Sequence, residues 1–397
     1  MRRLRGKAVL AGLVALAILG GGVGAALRSA PGTEGGALTD RAGATLEVRG
    51  FNTASNSKIA PDGMPKLTEA DVEREHVDYG TNTVRFLISW RMVEPEPGRY
   101  DTAYLDRVET MVGWYAKRGY SVMLDMHQDV YSQFGDPPLG GNGAPAWAVH
   151  TDGLPWKPNP EMWELGYLEP AVMRAWDHFW NTTGEHPELM EHYAGAWGAV
   201  ARHFADVPGV YAYDLMNEPY GGTLQGPQFE SGPLTRLYQL SANAIRQADP
   251  DTWICVSPQA MGTNWGTPSG LGRIEDPRSG DPRIAYCPHL YPLMLDLGSG
   301  YNGSSRAQID TTVDLWRDNV LRTAHRLGDV PIILDEFGLD TTRDGALDYV
   351  RLVLRTTDEM GAGWIYWSSD PGSWGPYEED GRIRNLVDVL GASAPKP

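Results

Sequence analysis

Cysteine is nearly absent: Cys255 and Cys287 are the only two in 397 residues. A small disulfide-stapled scaffold is therefore excluded. Both lie in apolar runs that read as buried strands, where a thiol packs as a small hydrophobe; whether the two pair is left open. CxxC and HExxH patterns are missing, as is any His/Cys cluster at metal-ligand spacing, so the sequence gives no reason to expect a metal or a cofactor. Positive charge is also scarce, with 34 Lys and Arg against 51 Asp and Glu and a formal charge of -17. A protein that tracks phosphates needs the opposite sign, which argues against a nucleic-acid partner.

What is present begins with a basic start (Arg2, Arg3, Arg5, Lys7) followed by an uncharged run from Ala8 to Leu27. Residues 1–30 read as an export signal with small residues for cleavage at Gly24, Ala25 and Ala26. The alternative is a retained anchor, because a run of about 20 apolar residues suffices to span a bilayer once. The expected protein is secreted, with anchorage through this segment as the second reading. Residues 31–43 read as a linker, 44–391 as one domain and 392–397 as a tail, with no second domain expected after it.

Within the domain, eight short apolar runs recur: Leu46 to Thr53, Thr83 to Ser89, Ser121 to Gln128, Val210 to Asn217, Trp253 to Gln259, Ile284 to Tyr291, Pro331 to Phe337 and Gly363 to Ser369. Stretches with helical periodicity separate most of them: Thr68 to Tyr79, Tyr104 to Arg118, Leu189 to Phe204, Leu234 to Ala248, Thr311 to Leu327 and Gly345 to Met360. Strands alternating with helices imply a parallel sheet, and eight repeats suit closure into a (β/α)8 TIM barrel of the α/β class. One interval is abnormal. From Gln128 to a helix near Glu188 no element is read, far beyond ordinary loop length. Trp147, Trp156, Trp163, Trp176 and Trp180 fall inside it, and disordered segments are poor in aromatics. The interval is expected to be an ordered excursion over the barrel mouth.

In such a barrel the active site forms at the C-terminal ends of the strands. The polar residues there are Arg85, His127 and Asp129, Asn217 and Glu218, His289 and Tyr291, Glu336, and Trp367. Singly, each has a structural explanation; a lone His usually pairs locally. Together they converge on one rim. The strongest pair is Tyr213-Asp-Leu-Met-Asn-Glu-Pro219 and Ile332-Ile-Leu-Asp-Glu-Phe-Gly338, each setting a Glu at the end of a β-rich run. Glycosidic cleavage needs such a carboxylate pair, one to protonate the leaving oxygen and one to attack or stabilise the sugar cation.

These motifs resemble clan A of the glycoside hydrolases, specifically family 5, over roughly Leu46 to Leu390. The resemblance implies Glu218 as acid/base and Glu336 as nucleophile of a retaining enzyme. It implies Asn217 at the sugar 2-hydroxyl, Tyr291 on the nucleophile, Arg85, His127 and His289 framing the cleavage subsite, and Trp367 beneath the sugar. Arg85 near Glu336 would keep that carboxylate ionised, whereas Glu218, far from cations against apolar walls, is expected to have a raised pKa.

Within the family, Met123-Leu-Asp-Met-His-Gln-Asp-Val-Tyr131, Gly143-Ala-Pro-Ala-Trp147, Asn52 to Lys58 and Trp364 to Trp374 are similar to the endoglycoceramidases. That likeness adds Lys58, Asp129 and, from the excursion, Trp163 as sugar-binding candidates, and a glycolipid or oligosaccharide as substrate, with transient membrane-surface contact by a monomer. It departs at the C-terminus, since those enzymes usually carry a β-sandwich after the barrel. The rival readings are a secreted β-glycanase or glycolipid β-glucosidase of the same family and, from another class, a non-catalytic carbohydrate- or lipid-binding protein.

Overall fold

A computed structural model describes residues 36–393 except 42, 160 and 161; the export segment read at 1–30 lies outside the described residues. The strands are β1 Arg49–Asn52, β2 Thr83–Ile88, β3 Ser121–Met126, β4 Val210–Asp214, β5 Trp253–Val256, β6 Ile284–Tyr286, β7 His289–Leu290, β8 Ile333–Phe337 and β9 Gly363–Tyr366. They pair in parallel in the order β6-β5-β4-β3-β2-β1-β9-β8-β7. β6 and β7 are the halves of one expected strand, split at Cys287-Pro288, where proline offers no N–H to the ladder. The ring closes where Tyr286 bridges Ile332 and its N–H donates to the Pro331 carbonyl at 2.9 Å. Nine segments therefore make the eight strands of a (β/α)8 barrel.

Alternation along each strand divides the core in two. Val84, Phe86 and Ile88, with Val122, Leu124 and Met126, face outward into the layer shared with the helices. Met123, Ala212, Cys255, Ala285, Cys287, Ile333 and Ile365 fill the barrel interior. Both thiols are free and buried there.

The helices are α1 Glu69–Tyr79, α2 Thr102–Ala116, α3 Pro170–Phe179, α4 Leu189–Phe204, α5 Thr235–Arg246, α6 Gly303–Gly328 and α7 Ala346–Glu359, with shorter turns between. Thr68 caps α1 in a reciprocal box with Asp71, satisfying donors the helix itself cannot. α6 begins at Gly303 rather than Thr311, because Ile309 is the one buried residue in its early turns and no apolar stripe announces them. Among the described residues no helix is long and apolar enough to cross a membrane.

The excursion is ordered and contains a helix that periodicity did not reveal amid so many tryptophans. Pro170 starts α3 at a position where its missing N–H costs nothing, and Ala171, Val172, Ala175, Trp176 and Phe179 form its buried face. Trp176 and Trp180 are buried and stacked at 5.6 Å, so these two pack the excursion down. Trp163 is 48% exposed.

At the opposite end, residues placed in the linker fold onto the barrel floor. Leu38 joins the interior cluster, and Gly36 N–H donates to the Asp329 carbonyl at 2.9 Å. A cavity of about 300 Å³ lined by Arg41, Ser121, Tyr211, Trp253 and Arg283 opens there, at the N-terminal ends of the strands, opposite the rim of polar residues expected from the sequence.

Candidate active site

Two local departures from regular strand aim the carboxylates. Between Leu334 and Phe337 the register of β8 against β9 slips, with Leu334 opposite Trp364 and Phe337 opposite Tyr366. The extra residue is a bulge, and it lets the adjacent Asp335 and Glu336 both reach Arg85. Beyond β4, Glu218 has φ +43°, which a non-glycine residue adopts only when its surroundings impose it. Gln128 supplies the restraint: its Nε2 donates to the carbonyls of Asn217 (2.8 Å) and Glu218 (2.9 Å). One carboxylate oxygen of Glu218 and one of Glu336 lie within 4.8 Å of each other, with His289 between. That spacing suits direct attack by one carboxylate; an interposed water requires carboxyl groups about 6.5–9.5 Å apart.

Arg85 is fully buried and organises the interior. Its guanidinium donates to Asp214 (2.7 and 2.9 Å), Asn52 (2.9 Å), Asn217 (3.0 Å) and Glu336 (3.1 Å), and stands 3.1 Å from Asp125 and 3.5 Å from Asp335. Four carboxylates around one cation cannot all stay ionised away from water. Burial and the Asp214 charge push the Asp335 carboxyl well up, and burial with Asp125 raises Asp214. His289 stands between Asp335 and Glu218: its Nδ1 donates to Glu218 Oε1 at 3.1 Å, and its Nε2 lies 3.5 Å from Asp335 Oδ1.

This corrects the expectation of a raised Glu218. Burial does push its carboxyl up, but the hydrogen bonds from His289 and from Asn264 Nδ2 (2.9 Å) outweigh it, and the net shift is down. Tyr291 donates to Glu336 Oε1 at 2.9 Å, so Glu336 is held from two sides, by a phenol and by Arg85.

A second polar group lines the rim. Lys58 Nζ sits 2.9 Å from Asp129 and 4.1 Å from the centroid of the Trp367 ring. His127 stacks on the same indole at 5.5 Å and donates from Nδ1 to Asp125 at 2.7 Å. Burial opposes ionisation of Asp129, yet Lys58 and His127 hold its carboxyl well below the usual range. For His127, burial and Lys58 favour the neutral ring, but Asp125 and Asp129 prevail and its pKa is raised.

The structure thus brings together Lys58, Arg85, His127, Asp129, Asn217, Glu218, His289, Tyr291, Glu336 and Trp367. Trp163 stands apart on the turn Trp163–Leu168; its ring contact is Tyr167, whose hydroxyl is reached by Gln128 at 3.5 Å. Sequence reasoning missed Asp214 and Asp335, although both sit inside the quoted motifs, and it missed Asn264, which no local pattern marks.

Residues 39–373 match the profile of the cellulase family, glycosyl hydrolase family 5. The chain belongs to glycoside hydrolase family 5. It is therefore a glycosidase that retains anomeric configuration. It is similar to Endoglycoceramidase I of Rhodococcus hoagii, with 31% identity over 350 residues, 86% of this chain and 68% of that protein. It is also similar to a Glucosylceramidase of Rhizopus delemar, with 26% identity over 46% of this chain and 34% of the relative. Among solved structures, endo-glycoceramidase II from Rhodococcus sp. matches at 63% identity and a TM-score of 0.86, covering 90% of this chain and 80% of that one. Its ganglioside GM3 complex matches at a TM-score of 0.87 and 63% identity, over 90% and 81% of the two chains.

Proposed function

We propose that this family 5 enzyme hydrolyses the β-glycosidic bond between the reducing-end sugar and ceramide of glycosphingolipids, releasing the glycan whole. The observation that carries it is the 63% identity over 90% of the chain to an endo-glycoceramidase solved with ganglioside GM3. In this reading Glu336 attacks the anomeric carbon, and Arg85 and Tyr291 hold its carboxylate in line. Glu218 gives a proton to the departing ceramide oxygen and then takes one from the water that releases the sugar. Because hydrogen bonds from His289 and Asn264 favour the charged form of Glu218, its protonation accompanies substrate: a sugar covering the site excludes water and strengthens the burial that pushes the carboxyl up.

Asn217, His127 and His289 frame the cleavage subsite, Lys58 and Asp129 take the sugar hydroxyls, Trp367 lies beneath the ring, and Trp163 contributes an outer sugar or lipid contact. The exposed apolar residues Ile59, Trp163 and Trp374 lie beyond the C-terminal ends of β1, β3 and β9, and they support transient contact of a monomer with a lipid surface. An acidic protein gains no attraction to anionic headgroups, so that contact rests on apolar area. The basic start and apolar run of residues 1–30 support secretion.

Incubation with lactosylceramide and with glucosylceramide in detergent, read by mass spectrometry, tests the reading. Intact lactose with free ceramide is expected. Turnover of glucosylceramide alone would make the enzyme a glucosidase, and activity confined to lipid-free β-glucans would overturn the lipid substrate while leaving the family assignment intact.

A further inference from the structure

At the C-terminal end of α3, in a group of side chains separate from Glu218, His289 and Glu336, three imidazoles gather. His150 and His186 stack at 3.7 Å between centroids, and His178 meets His186 at 4.9 Å. His178 is fully buried, and its Nε2 donates to Asp152 Oδ1 at 3.0 Å. In the neutral ring that bond leaves the lone pair on Nδ1, facing the Thr183 hydroxyl at 3.0 Å and Glu185 Oε2 at 3.7 Å. His186 is oriented the same way, since its Nδ1 donates to Glu188 Oε1 at 3.0 Å and Nε2 keeps the lone pair. One donor atom from each of His178, Glu185 and His186 lies within 4.8 Å of the other two.

An imidazole nitrogen and a carboxylate oxygen at 3.7 Å suit a positive charge shared between them, whether a proton or a metal ion. A carboxylate behind each imidazole is the arrangement that orients histidines on a metal and raises their basicity. Asp152 is itself held by Arg174 at 2.6 Å. Three carboxylates, Asp152, Glu185 and Glu188, border the imidazoles, and Arg174 pairs with Asp152, so the neighbourhood is negative. The geometry points to a structural binding site for a zinc-type divalent cation formed by His178 Nδ1, Glu185 and His186, with water completing a tetrahedron. Two nitrogens and one carboxylate oxygen suit a borderline cation better than the all-oxygen shells of magnesium or calcium. Ligand atoms across a tetrahedral zinc stand about 3.3–3.5 Å apart, a distance Glu185 reaches by rotating a side chain that is 65% exposed.

The site has a mechanical consequence. Asp177, next to His178, accepts from Thr223 N (2.8 Å) and Oγ1 (2.9 Å) in the loop that follows Glu218. A cation at the end of α3 stiffens the support of that loop without touching the reacting atoms.

The full chain, stripped with a chelator, is titrated with zinc chloride by calorimetry and melted with and without zinc. One saturable zinc site per chain and a zinc-dependent rise in Tm are expected, with neither from magnesium chloride. His186→Ala and, at the exposed position, Glu185→Gln each abolish both signals, and Asp152→Asn weakens binding about 10- to 100-fold. Glu218→Gln, which dismantles the separate cluster of Glu218, His289 and Glu336, keeps both. Absence of saturable zinc binding, or binding that survives His186→Ala and Glu185→Gln, overturns the proposal.

Discussion

At the scale of single residues, the two glutamates differ in what surrounds them, and that difference is testable. Glu218→Ala should lose about 10²- to 10⁴-fold on the natural glycoside, which needs a protonated leaving oxygen. It should retain turnover of aryl glycosides with good leaving groups and be accelerated by azide. Glu336→Gln should be inactive on both, because no glycosyl-enzyme forms. A Glu218→Ala enzyme indifferent to leaving group and azide would move the acid/base role elsewhere. Asn264 sharpens the assignment. It donates to the ionised form of Glu218 at 2.9 Å, so Asn264→Ala should raise that pKa. The pH profile of kcat/KM, which reports the free enzyme, should then show its alkaline limb displaced upward by roughly half to one pH unit; an unmoved limb would count against Glu218 as the acid. Sequence motifs led to Glu218, Glu336 and Tyr291 because each lies at the end of an apolar run, whereas Arg85 lies inside one, Thr83 to Ser89. Asn264 escaped notice because it approaches from the loop after β5, where only the folded chain brings it to the carboxylate.

At the scale of elements, α1 carries a buried carboxyl that meets two hydroxyls rather than a cation among the described residues. Glu75 is met by the hydroxyls of Thr81 (3.3 Å) and Tyr120 (3.5 Å). Burial lifts its pKa from 4.5 to about 8, against the opposing effect of those two hydrogen bonds. Between these values the unfolded chain has released the proton and the folded chain keeps it, so this group makes stability fall as pH rises from about 4.5 to about 8. Glu75→Gln removes the slope. Urea midpoints at pH 5 and pH 8 should show the variant gaining on the parent toward high pH, by up to about 1.4 kcal/mol per pH unit. A gap that does not widen would place the ionised carboxylate in the fold. Among the elements, α4 was read at its observed bounds of Leu189–Phe204, because its apolar face repeats at helical spacing. The bulge in β8 was invisible: Asp335 and Glu336 read as alternating neighbours until the pairing with β9 fixed their register.

At the scale of the whole molecule, the excursion between β3 and α4 belongs to the same core as the barrel. Tyr131, Trp176, Phe179 and Trp180 join one buried cluster with Trp90, Tyr193 and Trp197. Trp176→Ala should therefore cost about 3–5 kcal/mol in global unfolding by denaturant, with fluorescence and catalytic activity lost in one transition. A separate early transition of the excursion would show it to be an independent unit. The sequence by itself determined the barrel class, the strand-end rim and the two glutamates, because alternation, helical periodicity and the end of an apolar run are local properties of the chain. Tertiary structure alone decided how the charges are disposed: Arg85 shared among four carboxylates, the raised pKa of Asp335 and the lowered pKa of Glu218. Those depend on distances between residues remote in the chain, set when the barrel closes and water leaves its interior.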